Sequence, residues 1–543
     1  MPKLCGAFES RTMSPEGAGG VVLARAAPSE AGPGDKASRG WKVAAVLAAV
    51  ATVAAAWLVT GVFGAVYGAD DNGDGTRLTC PARLAADTPS QRTAWQGGVV
   101  VNYRVAEYPG CAGLPVYPTT RRLLLNALTP DEGVFSLRTL AAVESSFLGV
   151  AVGCGVLLLR RWGAAGMAAL AVVAVAAVAP VMARFFVSPY SESAGLVGAV
   201  LVLVGVAGVL ANPVRARAER VASLALVLCG GLYGGLAKQA YVPLAAVAAL
   251  VLLLAKPWEP QQYEPGQSTR GRILVGRALP RLVSACLCAA LVVPVCSWYR
   301  AGTTWAEELR LKERTDADFV LGAVAPELER RGGSLADLGL PESLQDLVGM
   351  DTWPPPSRMV QPDWVHYFTE GGADSRRRAA GVVMRDPGLA YTLVTRAIAA
   401  TDGVRIPYLA PNEVGRKPSE SPVRDVLDKP YAVVGAVDTT GGGTVGLTSL
   451  LAVCLVGPTA YAAKRRRRGP VRPGIGPVDG PLLLASAAAG LALLTCLVAV
   501  WGDGYYELAK HVWLAAFFAV VAVGISLTTL AAYAVRRLRG DRT

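Results

Sequence analysis

Histidine is nearly missing from this chain: His366 and His511 are the only two among 543 residues. With so few imidazoles, no His/Cys zinc constellation can be assembled. Charge is scarce as well. Asp, Glu, Lys and Arg make up 17% of the residues against 52% hydrophobic ones, and the mean hydropathy is +0.39. A soluble protein of this length does not sustain that balance, so the composition points to a polytopic membrane protein. No cleavable signal opens the sequence, because residues 1–40 are polar and rich in Gly, Ser and Pro. The net charge of +12 does not indicate nucleic-acid binding. The excess Arg sits in short segments flanking apolar runs, as the positive-inside bias requires.

What is present is a series of Ala/Val/Leu runs of spanning length. A bilayer crossing takes roughly 20 apolar residues. Val43–Val66, Leu140–Leu159, Gly163–Phe186, Ala194–Ala211, Leu282–Trp298, Thr444–Ala462, Leu482–Trp501 and Val512–Ala534 each read as one crossing. Val221–Leu254 is too long for one crossing and short for two. Charge parity decides for two. Only then do Arg160-Arg161, Arg215 to Arg220, Arg270 to Arg281, Lys464 to Arg468 and Arg536 to Arg539 all fall on the cytoplasmic side. The turn is then expected near Ala237-Lys238-Gln239-Ala240. The expected architecture is an all-α polytopic membrane protein of about ten spans, multi-pass in the cytoplasmic membrane, with both termini cytoplasmic.

The expected domains follow from the same pattern: a basic cytoplasmic tail (1–42), a transmembrane module (43–298) with its first outer loop at 67–138, an extracytoplasmic unit (299–443), the last spans (444–535) and a short cytoplasmic tail (536–543). The large outer unit lies between the seventh and eighth spans. It carries helical apolar spacing in Ser334–Leu340 and Leu389–Ala400, and a Pro-rich stretch at Trp353–Pro356. Of ten cysteines, only Cys80 and Cys111 fall in an outer loop. A pair on the oxidising side reads as a disulfide.

The short outer segments hold the chemistry-bearing residues. Asp70-Asp71-Asn72-Gly73-Asp74-Gly75 opens like a calcium loop, but Pro81 stands where the bidentate Glu belongs. That leaves a looser divalent-cation site, a polar turn, or a carboxylate placed to act as a base. In Ser188-Pro189-Tyr190-Ser191-Glu192-Ser193, a Ser could cap the next helix with Glu192 near its positive end. Lys238-Gln239 sits in an apolar turn, where a cation needs to snorkel or to find an anionic partner. In Gly502 to His511, Glu507 and Lys510 can simply pair at i,i+3. Together these segments bring acids and cations to one depth.

On the first-loop acids (Asp71 to Leu78), Pro189-Tyr190-Ser191-Glu192, Lys238-Gln239-Ala240-Tyr241, Leu335 to Pro341 and Gly502-Asp503-Gly504 through His511, the chain resembles the GT-C superfamily of polytopic glycosyltransferases. It is most similar to actinobacterial hexose-transferase-like membrane proteins of glycan biosynthesis. The resemblance implies transfer of a sugar from a polyprenyl-phosphate donor to a glycan or lipid acceptor on the outer face. In those terms Asp74 or Asp71 is the general base, and Lys238, Lys510 and His511 hold the donor phosphate. Glu192 and Gln239 orient sugar or acceptor groups, with Tyr190, Arg77 and Glu507 lining the donor site. No metal ligand is assigned, and a divalent cation stays open as cofactor. A transporter or flippase of lipid-linked sugars, which prefers ionisable groups near the midplane, and a non-catalytic membrane subunit are the alternatives.

Overall fold

The computed structural model describes residues 33–63, 66–68, 75–86, 100–106, 111, 116–212, 216–255, 270–308, 310–350, 354–401, 422–439, 443–467, 479–505 and 507–538. Contacts divide the chain into Met1–Gly40 and Trp41–Thr543, and the account below concerns the second unit. It is overwhelmingly helical.

Among the described residues, six stretches are long and apolar enough to cross a membrane: Arg39–Thr60, Leu137–Val178, Glu192–Ala211, Pro280–Trp305, Asp479–Asp503 and Trp513–Val535. The 42-residue stretch is two helices, Leu137–Leu159 and Gly163–Val178, joined by a 3-10 turn at Arg160–Trp162. Gln239–Leu254 and Gly446–Gly457 are shorter apolar helices. The long run from Val221 breaks where the Lys238 turn was expected: one helix ends at Gly235, a 3-10 turn follows at Gln239–Tyr241, and Val242–Leu254 returns.

The helix Glu192–Ala211 is the centre of the bundle, with 83% of its apolar window buried, against 11% for Pro280–Trp305. Apolar side chains gain nothing from leaving lipid for protein, so packing between such helices depends on close backbone approach. Glycine provides it here. Gly198 faces Gly234, and a Cβ built on Gly230 would lie 2.7 Å from the Gly198 carbonyl oxygen. Any larger residue at these points would drive Glu192–Ala211 and Arg217–Gly235 apart.

Two features depart from a purely helical reading. The segment preceding the helix Leu137–Leu159 holds a three-stranded antiparallel sheet of β1 (Leu84–Ala86), β2 (Asn102–Val105) and β3 (Val134–Ser136), in that order. Leu84 pairs with Val105 and Tyr103 with Phe135. Strands of three or four residues are too short to show the alternation that betrays a strand. Second, the helix that crosses Leu282–Trp298 does not stop there. It runs from Arg270 to Glu308 through Pro280 and Pro294, continuing beyond Trp298.

The segment 310–401 includes π-helical segments at Asp318–Val324 and Val365–Glu370 and helices Gly372–Arg385 and Pro387–Ala399. The apolar spacing in Ser334–Leu340 becomes a 3-10 turn, capped by reciprocal bonds between Ser334 and Asp337. Cys80 and Cys111 are joined in a disulfide with Cα atoms 5.4 Å apart.

Candidate functional site

The site is built from helix ends. Arg217–Gly235 stops at a Gly pair, and its last carbonyls need donors. Thr119 and Thr120 supply them. Thr119 Oγ1 donates to Ala237 O (2.8 Å), Thr120 Oγ1 to Tyr233 O (2.5 Å) and Thr120 N to Leu236 O (3.2 Å). One residue on, Arg121 enters the bundle and forms a fully buried pair with Glu144 at 2.6 Å. Its second amino group donates to Ser188 O at 2.6 Å, while Ser193 Oγ (3.2 Å) and Tyr233 OH (3.0 Å) complete the Glu144 shell. Charges at zero exposure are tolerated only when they are paired and hydrogen-bonded, as both Glu144 oxygens and both Arg121 amino groups are here. The network therefore holds four segments in register around the Ser188–Glu192 turn.

The turn then aims Glu192 at Lys238. Their ion pair is 3.0 Å long, with side chains 4% and 15% exposed. This is the anionic partner that the cation in its apolar turn requires. Gln239 packs against the C-terminal part of the Arg270–Glu308 helix, its Nε2 2.7 Å from where a Gly302 Cβ would sit. Tyr241 is buried over Gly195, and its hydroxyl finds no hydrogen-bond partner among the described residues. Tyr190 is buried edge-on to Phe185. Arg77 lies 5.4 Å over the Trp305 ring, which Tyr117 meets edge-on.

From the far end of the chain, the turn between Asp479–Asp503 and Trp513–Leu538 reaches the same place. Glu507 and Lys510 pair at 3.3 Å, and His511 Nδ1 stands 3.3 Å from Asp503 Oδ2. Lys510 is buried. Lys238 lies near enough to act electrostatically on both Asp503 and His511, as does Lys510. Burial, with those two ammonium groups adding to it, holds His511 well below the ordinary imidazole range, so the ring is neutral at physiological pH. The turn is backbone-strained: Glu507 has φ 44 and Gly504 φ 58. A side chain at Gly504 would collide with the Asp318 carbonyl, and a non-glycine residue in the left-handed region costs about 1–3 kcal/mol.

Residues between 316 and 396 grip this turn. Arg376 pairs with Asp316 at 2.6 Å while its guanidinium lies 5.4 Å from the Phe319 ring and 5.1 Å from the Trp501 ring. Glu327, 3% exposed, takes Arg396 Nε and the Tyr505 hydroxyl, both at 3.2 Å. An open cavity of about 590 Å³ lies between Val242 and the C-terminal part of the long helix. Val295, Cys296, Tyr299, Arg300, Thr303 and Thr304 line it.

Glu192, Lys238, Gln239, Lys510 and His511 thus converge, with Glu507 beside them. Tyr190 and Arg77 stand in the surrounding shell. Asp71 and Asp74 lie outside the described residues, and so does the calcium-like opening of that loop. Among the described residues, no group of three or more His, Cys, Asp or Glu is placed to hold a metal ion. Reading outer loops for acids missed Arg121, Glu144, Asp316, Glu327 and Asp503 as members of the site. Glu144 was detectable as a carboxylate inside an apolar run. Asp316-Ala317-Asp318 was detectable as an Asp-x-Asp sequence, although residues two apart on a helix do not face each other.

The class defined here is a multi-pass helical membrane protein with a charged, buried polar layer where the apolar helices meet the segment 310–401. Within that class, residues 35–542 match the YfdI N-terminal transmembrane domain, and the chain belongs to that family. No curated protein and no solved structure matches it.

Proposed function

We propose that this protein transfers a sugar from an isoprenoid-phosphate donor to a hydroxyl of a glycan or lipid acceptor at the outer face of the cytoplasmic membrane. The observation that carries the reading is the meeting of Lys238 and Lys510, from segments more than half the chain apart, with Glu192, Asp503 and His511 in one buried layer. Cations in such a layer suit a phosphate that gains charge as it leaves. The adjoining cavity, with apolar Val242 and Val295 below and Arg300 and Thr304 above, suits a lipid-linked phosphate. In this reading about ten spans cross the bilayer with both termini inside, and Asp71 or Asp74 supplies acceptor contacts or the base from the first loop.

Comparison of lipid-linked sugars and envelope glycans with and without the gene tests the proposal. Loss of the protein is expected to accumulate a polyprenyl-phosphate sugar and remove one glycan substituent. Lys238→Met is expected to reproduce the deletion while leaving expression and the Cys80–Cys111 bridge intact. Unchanged donor and glycan pools in the deletion would refute it and favour a non-catalytic subunit.

A further inference from the structure

His511 and Asp503 have an arrangement that phosphate binding does not account for. Nδ1 of His511 is buried and faces the Asp503 carboxylate at 3.3 Å, within its reach although not a well-aligned hydrogen bond. The side chain as a whole is 13% exposed, so its accessible surface belongs to ring atoms other than Nδ1. A carboxylate on one nitrogen fixes the tautomer that leaves Nε2 as the lone-pair acceptor. The 3.3 Å contact is not yet a hydrogen bond, and catalytic hydrogen bonds often align only once substrate is bound.

We propose that His511 is the catalytic base that deprotonates the acceptor hydroxyl, with Asp503 as its positioning residue. This rests on the transfer reading above. The acceptor proton passes to Nε2, and the freed oxygen pair forms the bond to the anomeric carbon. The bond from that carbon to the phosphate oxygen breaks, and its electron pair leaves with the isoprenoid phosphate beside Lys238 and Lys510. The imidazolium then returns its proton to solvent.

The groups acting on the pair set the order of events. Lys238, from the turn before Val242, and Lys510, on the same turn as the ring, face both members, while Arg376 of the segment 310–401 and Glu507 act on Asp503. Glu192 already engages Lys238, and Glu507 engages Lys510. With no donor bound, burial and, after it, the two ammonium groups keep the ring neutral and a weak base. A phosphate between them offsets their charge and strengthens it, so the base is armed only when the donor is in place.

The test uses membrane vesicles from a deletion strain, holding accumulated donor and unmodified acceptor, supplied with purified full-length protein. His511→Gln is expected to lower transfer by about 10²–10⁴-fold, with binding of farnesyl phosphate unchanged within about threefold. Asp503→Asn should fall by a similar factor, and Asp503→Glu should recover part of the rate. Because His366 is the only other histidine, diethyl pyrocarbonate acting on a His366→Gln protein modifies His511 as the one remaining imidazole, without substituting it. Modification is expected to abolish transfer and to be blocked by farnesyl phosphate. Transfer that survives His511→Gln or stoichiometric modification of His511 would overturn the proposal and return the role to Asp71 or Asp74. A wild-type protein that neither binds the probe nor changes the glycan would overturn the transfer reading and this proposal with it.

Discussion

Replacing Arg121 with methionine removes the one cation that, among the described residues, is bonded to a carboxylate without contact with solvent. Glu144 accepts from Arg121 Nη1 at 2.6 Å on both oxygens, and its other partners are the neutral Ser193 and Tyr233 hydroxyls. Both charges of the pair are at 0% exposure. Removing one partner of such a pair costs about 3–5 kcal/mol, because the remaining charge stays buried without compensation. The two hydroxyls recover little of this, since hydrogen bonds between membrane helices average roughly 0.6 kcal/mol. Glu144→Leu alone strands the guanidinium and is expected to cost a similar amount, whereas Arg121→Met with Glu144→Leu leaves no unpaired charge. The double variant is therefore expected to be more stable than either single one, with a coupling of at least about 2 kcal/mol. Unfolding titrations of the purified protein in lipid bicelles, read by tryptophan fluorescence, measure all four corners of the cycle. Single variants that unfold with the wild type, or a double variant equal to the sum of the singles, would refute the reasoning.

The Cys80–Cys111 bridge closes a loop with a sequence separation of 31 residues, so its reduction is expected to cost about 3.5 kcal/mol in the chain-entropy model. Non-reducing peptide mapping should recover the two half-cystines in one linked fragment, and finding both as free thiols would contradict the pairing. Cysteines placed at Ser334 and Ser268, in a background lacking Cys80 and Cys111, should be labelled by an impermeant thiol reagent in intact cells at Ser334 and not at Ser268. The reverse pattern would invert the topology. His511, held below the ordinary imidazole value of 6.5, binds its proton more readily unfolded than folded. Its contribution is thus present above that value and lost as pH falls below it. The unfolding midpoint should drop between about pH 6.5 and pH 5, less steeply in His511→Gln, and equal slopes would remove His511 from the account.

The sequence by itself determined the class, the apolar helices long enough to cross a bilayer and the break at Lys238. These depend on local composition: apolar length sets what a bilayer accepts, and a costly cation in an apolar run marks where a helix must surface. It also singled out Cys80 and Cys111, because only two cysteines lie in outer loops. The partners of each charged residue were decided only by tertiary structure. Arg121 with Glu144, Lys238 with Glu192 and Arg376 with Asp316 join residues 23 to 60 positions apart, and His511 owes its neutral state first to burial and then to Lys238, more than half the chain away, and Lys510. Periodicity cannot express such pairings, since they follow from which helix ends meet. That in turn depends on contacts such as Gly198 against Gly234, where two backbones touch because neither residue carries a side chain.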